Sequence, residues 1–420
     1  MDADVLIIGG RPAGSALAAR LGAAGVGVVV LDRASLPSEP SVPSAPIAHP
    51  GTLALLDEIG ADEDVYAVPE ARMAGLALAV EGHFVAPMAV PTFAGRAHVT
   101  TLDRGRFDAA LWDGLGRYPG VRREAGFVVE SVLRDGHRIV GVTGRQDGSA
   151  RSLRARIVVG ADGRNSPFAR MVGAKTTAEA SRHLGACYFA VWDGLGLGRV
   201  EPPRYASIHT AMRGLNVLFF PLGPQRAYVC VHTRADRVQL GGDAAGFYAE
   251  RLASLPGVRD KMDGARQDSR LLGLKRIGNG FRQAGGDGWA LVGDALHYKD
   301  PVDGQGIYDA LRGGKLLASE IMAFLDGSKP WASAVSDYEL GFLAFARPQY
   351  DATLARLRRE LYGEPPTLVI RTLIRWMLTD PLYHRAYMRY LCRDLDPRDW
   401  RPGLPGIVWR GLGRDWLGAR

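Results

Sequence analysis

GWALVGDALHYKDPVDGQGIYDALR, residues Gly288–Arg312, is the stretch around which this 420-residue chain is organised. Trp289–Val292 is a short apolar run bounded by glycines, which suits a buried strand. Gly293-Asp294 follows at the strand's end, where an open α/β sheet presents groups to a ligand. A loop rich in Pro and Gly comes next, and a helical pattern begins near Gly306. Gly304 and Gly306 leave backbone N–H groups bare at that helix start, where the partial positive charge of a helix collects. The order of parts is a carboxylate that can catch a hydroxyl, then a helix N-terminus facing something electron-rich. An ordinary strand-to-helix turn would carry the same glycines for conformation alone, so the rest of the chain has to decide.

Two other strand ends repeat the theme. Val5–Ile8 is a continuous apolar run, followed by Gly9-Gly10-Arg11-Pro12-Ala13-Gly14 and an Ala/Leu-rich helix to about Ala24. Gly25 stops that helix, and Val26–Leu31 is a second buried strand ending in Asp32-Arg33, with Asp32 lying 23 positions after Gly9. Backbone close to a pyrophosphate, a helix dipole behind it and a carboxylate on a ribose need these parts in this order. One member departs from the pattern. Arg11 stands at the usual second glycine, where its Cβ is expected to crowd a pyrophosphate unless the main chain is displaced. Its guanidinium could reach the phosphates or cover the site. Further on, the run 152–159 closes on Gly160-Ala161-Asp162-Gly163 and a helix holding Phe168–Val172.

Composition bounds the rest. The length exceeds one core's worth of chain, so two domains or one elaborated α/β domain is expected. The net charge of +7 comes from arginine, since only six of the 52 basic residues are lysines. No basic run with interleaved aromatics occurs, which sets nucleic acid aside. Cys187, Cys230 and Cys392 are far apart and odd in number, as free thiols in a reducing compartment would be, and neither a disulfide framework nor a metal site is expected. The acidic start Met1–Asp4 lacks a secretory pattern, and no apolar run approaches the roughly 18 residues of a membrane span. A cytoplasmic location follows as the expectation.

Leu36–Pro50 carries prolines at 37, 40, 43, 46 and 50 and reads as an extended loop ending in His49, which is either a partly exposed loop histidine or a catalytic one. Alternation over 72–101 predicts strands, and Asp103–Gly116 predicts a helix carrying Arg104, Phe107 and Asp108. Residues 175–280 read as mostly β, with Phe-, Tyr- and Val-rich strands that fit a sheet facing a cavity. His209 and His232 lie in these strands and read as core or surface residues. After Leu325 the chain turns helical to near Arg393; Thr367–Leu378 is expected to pack over the core, with an interfacial membrane or partner helix as the other reading. Asp394–Arg420, rich in Pro, Gly and Trp, is expected to be irregular surface chain.

Taken together, the motifs resemble those of the FAD-dependent monooxygenases of the para-hydroxybenzoate hydroxylase fold and related FAD-dependent reductases. The match rests on the N-terminal glycine turn with Asp32-Arg33, on Asp162-Gly163, and on Gly293-Asp294 with Pro301, Gly304 and Gly306. The resemblance implies that Gly9, Arg11, Gly14, Asp32 and Arg33 hold the ADP half of FAD. It also implies that Arg104 reaches the phosphates, that Asp294 binds the ribityl chain and that Pro301, Gly304 and Gly306 line the isoalloxazine. Tyr298-Lys299-Asp300 is polar for its place, and either sets charge near the flavin edge or forms a solvated pair at a loop tip. His49, His297 and Lys299 are the candidates for base or electrostatic roles.

The fold class expected is α/β: a Rossmann-like FAD-binding domain (1–70, 96–174 and 281–330) interleaved with a β-rich substrate domain (71–95 and 175–280), then a helical region from 331 to 420. The resemblance implies reduction of FAD by NAD(P)H, uptake of O2, and hydroxylation or epoxidation of a hydrophobic, aromatic or polycyclic small molecule through a flavin hydroperoxide. A homodimer is compatible with this reading. A flavin reductase that saturates an alkene without oxygen is the alternative, and a non-catalytic partner subunit a further one. A halogenase is disfavoured, because no lysine precedes Lys175 and no Trp-x-Trp-x-Ile-Pro motif occurs.

Overall fold

Strands that carry apolar side chains on both faces are stable only in the middle of a sheet covered on both sides. Ala3–Ile8, Val28–Asp32 and the end of Ser149–Gly160 meet this condition, with Val5–Ile7, Val28–Leu31 and Ile157–Val159 all buried. The computed structural model, which describes residues 1–40, 44–198 and 204–418, places them side by side in parallel. The sheet runs Gly285–Gly286, Trp289–Leu291, Ser149–Gly160, Ala3–Ile8, Val28–Asp32, Val121–Ala125. An antiparallel pair, Val128–Asp135 and Arg138–Gln146, extends from one end of Ser149–Gly160. The helices Pro12–Ala23 and Gly306–Leu325 pack on each other against this sheet, each opening just past a strand end.

A second eight-stranded sheet stands beside the first. Its order is Arg266–Gln267, Gly185–Asp193, Ala227–Arg234, Leu215–Pro221, Tyr205–Thr210, Gly75–Val80, Phe84–Ala89, with Leu272–Leu274 also on Gly185–Asp193. Neighbours are antiparallel except Tyr205–Thr210 and Gly75–Val80. One face packs under the helices Ala244–Ala253 and Pro256–Met262, through Phe247, Tyr248, Leu252 and Val258. The other face looks into the molecule. A short sheet of Thr176–Ala180, Asn279–Arg282 and His297–Tyr298 joins the two halves.

The 31-residue helix Trp331–Leu361 continues the core of the first half, burying Trp331, Ala334, Tyr338, Phe342, Ala346 and Tyr350 there. Its far end reaches the Pro301–Asp303 loop. Asp303 is buried and accepts from Arg356 at 2.7 Å and from Thr353 at 2.5 Å. A helical segment over 367–378, with a wide turn at Ile370–Ile374, and the helix Pro381–Leu391 close the structure over the second sheet. Residues 394–420 are not irregular throughout, as the composition had suggested. Leu404–Gly418 is a helix, because Pro405 falls in its first turn, where a missing N–H costs nothing. Gly411 serves close packing there: a Cβ would lie 2.3 Å from the Trp376 ring.

Candidate functional site

Two cavities meet between the sheets. The first is a cleft of about 330 Å³ along the carboxyl ends of the parallel strands. Gly9, Arg11 and Asp32-Arg33 line it from one side, Arg104 from another, Asp162-Gly163 and Asp294 across from them, and His297, Lys299, Pro301 and Gly306 from the end. Gly14, Gly293 and Gly304 sit behind the wall and allow it to close. A Cβ on Gly14 would lie 1.8 Å from the Gly9 carbonyl oxygen, one on Gly293 2.7 Å from Ala13 Cβ, and one on Gly304 2.6 Å from Ile47.

The helix Pro12–Ala23 has no side-chain cap and no acidic residue in its first turn, so its start is an electropositive opening onto the cleft. Arg11 does not block it. Its backbone is extended (φ −85°), a conformation open to any residue, and its guanidinium turns aside to Ser38, to Glu39 and to Asp108. Asp108 is fully buried and also holds Arg104, at 3.0 and 3.1 Å, so one carboxylate fixes two guanidiniums at the rim. The guanidinium is thus tied to the rim, while Arg11 itself remains part of the cleft wall. Asp32 accepts from the N–H of Gly10 and of Ala34 at 2.8 Å each, which leaves lone pairs for a ribose. Asp162 holds its own turn, accepting from Ser166 Oγ and the Phe168 N–H.

At the far end the helix Gly306–Leu325 also begins uncapped. Gly306 has an ordinary backbone, and nothing lies within 4 Å of where its Cβ would stand. Neither strain nor packing within the protein demands glycine there, and the position opens onto the cleft. Lys299 and Asp300 are not a solvated pair. Both are buried, and they face different partners. Lys299 Nζ lies 2.7 Å from Asp309 Oδ2, and Arg393 bonds the same carboxylate from the C-terminal segment. Burial pushes the Lys299 ammonium below its ordinary pKa. The Asp309 carboxyl, despite its burial, is held below its usual range by Lys299 and Arg393.

His297 stacks on Phe281 at 4.1 Å and donates through Nδ1 to the Gly280 carbonyl (3.1 Å), with the tautomer assigned from that bond. Its Nε2 has no partner, and burial with the nearby Lys299 lowers its pKa to about 4, so it is a neutral acceptor on the cleft wall. His49 is buried too, at 2 % exposure, rather than a partly exposed loop residue. It sits behind Gly304, lines neither cavity, and has its pKa lowered to about 4 by burial, so the structure does not bring it to the reacting region.

The second cavity, about 650 Å³, lies between the inner face of the second sheet and the C-terminal helices. Ser44, Ala45 and Pro301 line both cavities, so the two adjoin there. Alternate residues of the strands face inward, as a period of two requires: Leu76 and Leu78, Asn216, Leu218 and Phe220, Tyr228, Cys230 and His232. The wall is mostly apolar. Its charged members, Arg356, Arg358, Arg359, Glu360 and Glu364, come from the C-terminal part of the chain, while the second sheet contributes His232, whose Nε2 lies 3.0 Å from Asp300 Oδ1. His232 lines the large cavity and Asp300 the cleft, so this pair bridges the two. Burial alone would lower the His232 pKa, but the Asp300 carboxylate raises it on balance. The sequence reading passed over His232. Its inward register beside Tyr228 and Cys230 was the available signal.

A ligand with a diphosphate at one end and a flat electron-accepting ring at the other would use both helix starts of this one cleft, and Gly306 leaves space on its wall. The fold and the cleft define a flavin-dinucleotide oxidoreductase. Residues 2–338 match the FAD binding domain family, and the chain belongs to it. It is 28% identical over 338 residues to an uncharacterized aromatic compound monooxygenase, YhjG of Bacillus subtilis, a match covering 79% of this chain and 63% of that protein. It is 28% identical over 431 residues to the menaquinone reductase of Mycobacterium tuberculosis strain H37Rv, covering 98% of this chain and 96% of the relative. Among solved structures the flavin-dependent brominase Bmp2 superposes with a TM-score of 0.76 at 18% identity over 100% of both chains, a likeness of fold.

Two substitutions separate the roles of the glycines. Gly14→Ala is expected to destabilise the cofactor-free protein by about 1–3 kcal/mol and to abolish FAD binding. Gly306→Ala should leave the melting temperature of the cofactor-free protein unchanged or raised, and weaken FAD by about tenfold or more. Thermal melts and flavin fluorescence titration read both.

The two depressed histidines carry a pH signature. Each is neutral when folded and gains a proton on unfolding below its ordinary pKa of 6.5. Their contribution to stability is full above pH 6.5 and is lost as pH falls toward about 4. In cofactor-free protein, the gap between wild type and His49→Asn in urea unfolding should change by about 1.2 kcal/mol per pH unit near pH 5. A gap independent of pH would show that His49 is not buried neutral.

Proposed function

We propose that the chain is an FAD-dependent monooxygenase that uses NAD(P)H and O2 to hydroxylate or epoxidise a lipophilic, aromatic or polycyclic small molecule. The observation that carries this reading is the apolar 650 Å³ chamber opening onto the flavin cleft at Pro301. FAD bound in the cleft would supply electrons and, with O2, an electrophilic oxygen. The protein's own residues do the remainder. Leu76, Leu218 and Phe220 hold an apolar substrate and exclude water, which suppresses unproductive loss of reducing equivalents. Pro301 sets the edge over which the substrate meets the ring. His232, whose protonated form Asp300 favours, would donate a hydrogen bond or a proton to a substrate oxygen at the chamber wall. The similarity to an aromatic compound monooxygenase supports this reading.

A second reading is reduction of an alkene or quinone-like substrate without oxygen. Two observations favour it: the match to menaquinone reductase along nearly the whole of both chains, and a histidine at the chamber wall whose protonated form a neighbouring carboxylate favours. Saturating a double bond takes a hydride and a proton, and His232 is placed for the proton.

The experiment is to load the protein with FAD and follow NAD(P)H oxidation while screening apolar aromatic and polyprenyl compounds, in air and under argon. Oxygen uptake in step with substrate, with no product under argon, is the expected result; turnover under argon would replace the monooxygenase reading by the reductase one. In either case His232→Gln should lower kcat by about 100-fold and leave the flavin spectrum unchanged. With His232 acting as the acid, wild-type activity falls as pH rises through a pKa above the ordinary 6.5, and His232→Gln loses that limb.

A further inference from the structure

Six of the ten large apolar side chains exposed among the described residues fall between positions 368 and 416: Leu368, Leu382, Leu404, Trp409, Leu412 and Trp416. The concentration is greatest on Leu404–Gly418. There Pro405, Trp409, Leu412 and Trp416 recur at spacings of four, three and four, which is one face of a helix, and Trp409 is 79% exposed. This helix is apolar on two sides. Ile407 is buried against the protein, and the charged residues lie between the two apolar sides, partly exposed and tied to neighbouring groups: Arg410 to Asp380 at 2.6 Å, Arg414 to the carbonyls of Thr379 and Trp376, and Asp415 to Arg375 and Trp376. The outer side is left with apolar residues in place of the charges a surface helix in water carries. An exposed apolar face of this size marks a surface that something covers.

The surroundings say what covers it. Residues 367–420 hold ten arginines against five aspartates, with no glutamate. Arg371, Arg385, Arg389 and Arg401 are exposed. Tryptophan and leucine on one face, with arginine around them, match the boundary between acyl chains and anionic headgroups. The helix under this face is also a wall of the large cavity, since Ile374, Met377 and Leu378 line the chamber while Gly411 rests on Trp376 behind them. Among the described residues no helix is long and apolar enough to cross a membrane. The face suits lying on a bilayer, not spanning it.

We propose that Leu404–Gly418, with the adjoining ends at Leu368 and Leu382, is a docking face for an anionic lipid surface, and that it sets the chamber against the acyl layer. The docking holds whichever reaction the flavin performs.

The test is flotation of the full-length, FAD-loaded protein with vesicles of phosphatidylcholine alone or mixed with phosphatidylglycerol. Binding to the anionic vesicles, weakened by added salt, is expected. Trp409→Ser/Leu412→Ser, which alters only exposed side chains, should cut binding by about tenfold or more, and Arg371→Glu/Arg385→Glu should remove the preference for anionic lipid. Flavin absorbance and circular dichroism confirm that both variants are folded. Absence of wild-type binding at low salt overturns the proposal, as does binding indifferent to Trp409→Ser/Leu412→Ser. Self-association lost in that variant, without vesicle binding, would assign the face to a second copy of the chain and overturn it equally.

Discussion

Three parallel strands end at distances that leave no room for a Cβ, and the site depends on that closeness. A Cβ on Gly9 would meet the Ala161 carbonyl at 2.4 Å, and one on Gly293 would meet Ala13 at 2.7 Å. The backbone confirms the register, with Ala161 N–H donating to Ile8 and Val292 N–H to Gly160. Glycine at these crossings brings Asp32, Asp162 and Asp294 to one cleft, and lets two helix N-termini open onto it without side chains between. Both Gly9 and Gly293 have positive φ, so the same residues that allow the approach also allow the turn.

The loop from His297 to Gln305 then carries a cluster of buried charge. A buried ion is tolerated only with a partner, and each here recruits one from a distant element. Asp300 meets His232 of the second sheet, Asp303 meets Arg356 of the long helix, and Lys299 shares Asp309 with Arg393 of the C-terminal segment. Removing Asp309 or Arg356 would leave a charge stranded in the interior. The C-terminal helices are thereby part of the flavin end of the cleft, and the second sheet is held in register with the first by the same few residues.

This division explains what could be read in the chain. The strand–turn–helix units were legible because their signals are local: apolar runs, glycines at fixed offsets and a carboxylate at the next strand end. The inward face of the second sheet was legible as aromatic and β-branched runs. The His232–Asp300 pair was not, since 68 positions and a change of sheet separate two residues that carry no motif between them. Arg393 was hidden in the same way. The course of the Arg11 guanidinium, toward Ser38, Glu39 and Asp108, was not legible because sequence gives a side chain's size and not its direction. The Leu404–Gly418 helix was missed because Gly411 and Pro405 read as breakers, when one is a packing contact and the other a first-turn residue.

The two histidines at the junction of the cavities are pushed in opposite directions for identifiable reasons. His297 and His232 are both buried, and burial pulls each toward the neutral form. His297 faces the ammonium of Lys299, which reinforces that pull; His232 faces the carboxylate of Asp300, which reverses it. Groups of one chemical kind pushed apart in this way take different parts in a reaction. On the cleft side stands a neutral imidazole with a free lone pair; on the chamber side stands one whose protonated form is favoured. Under the proposed function, a proton released at the ring would have an acceptor beside the cleft, while a proton needed by the substrate would come from the other cavity. Pro301, which lines both cavities, lies at the point where the two meet.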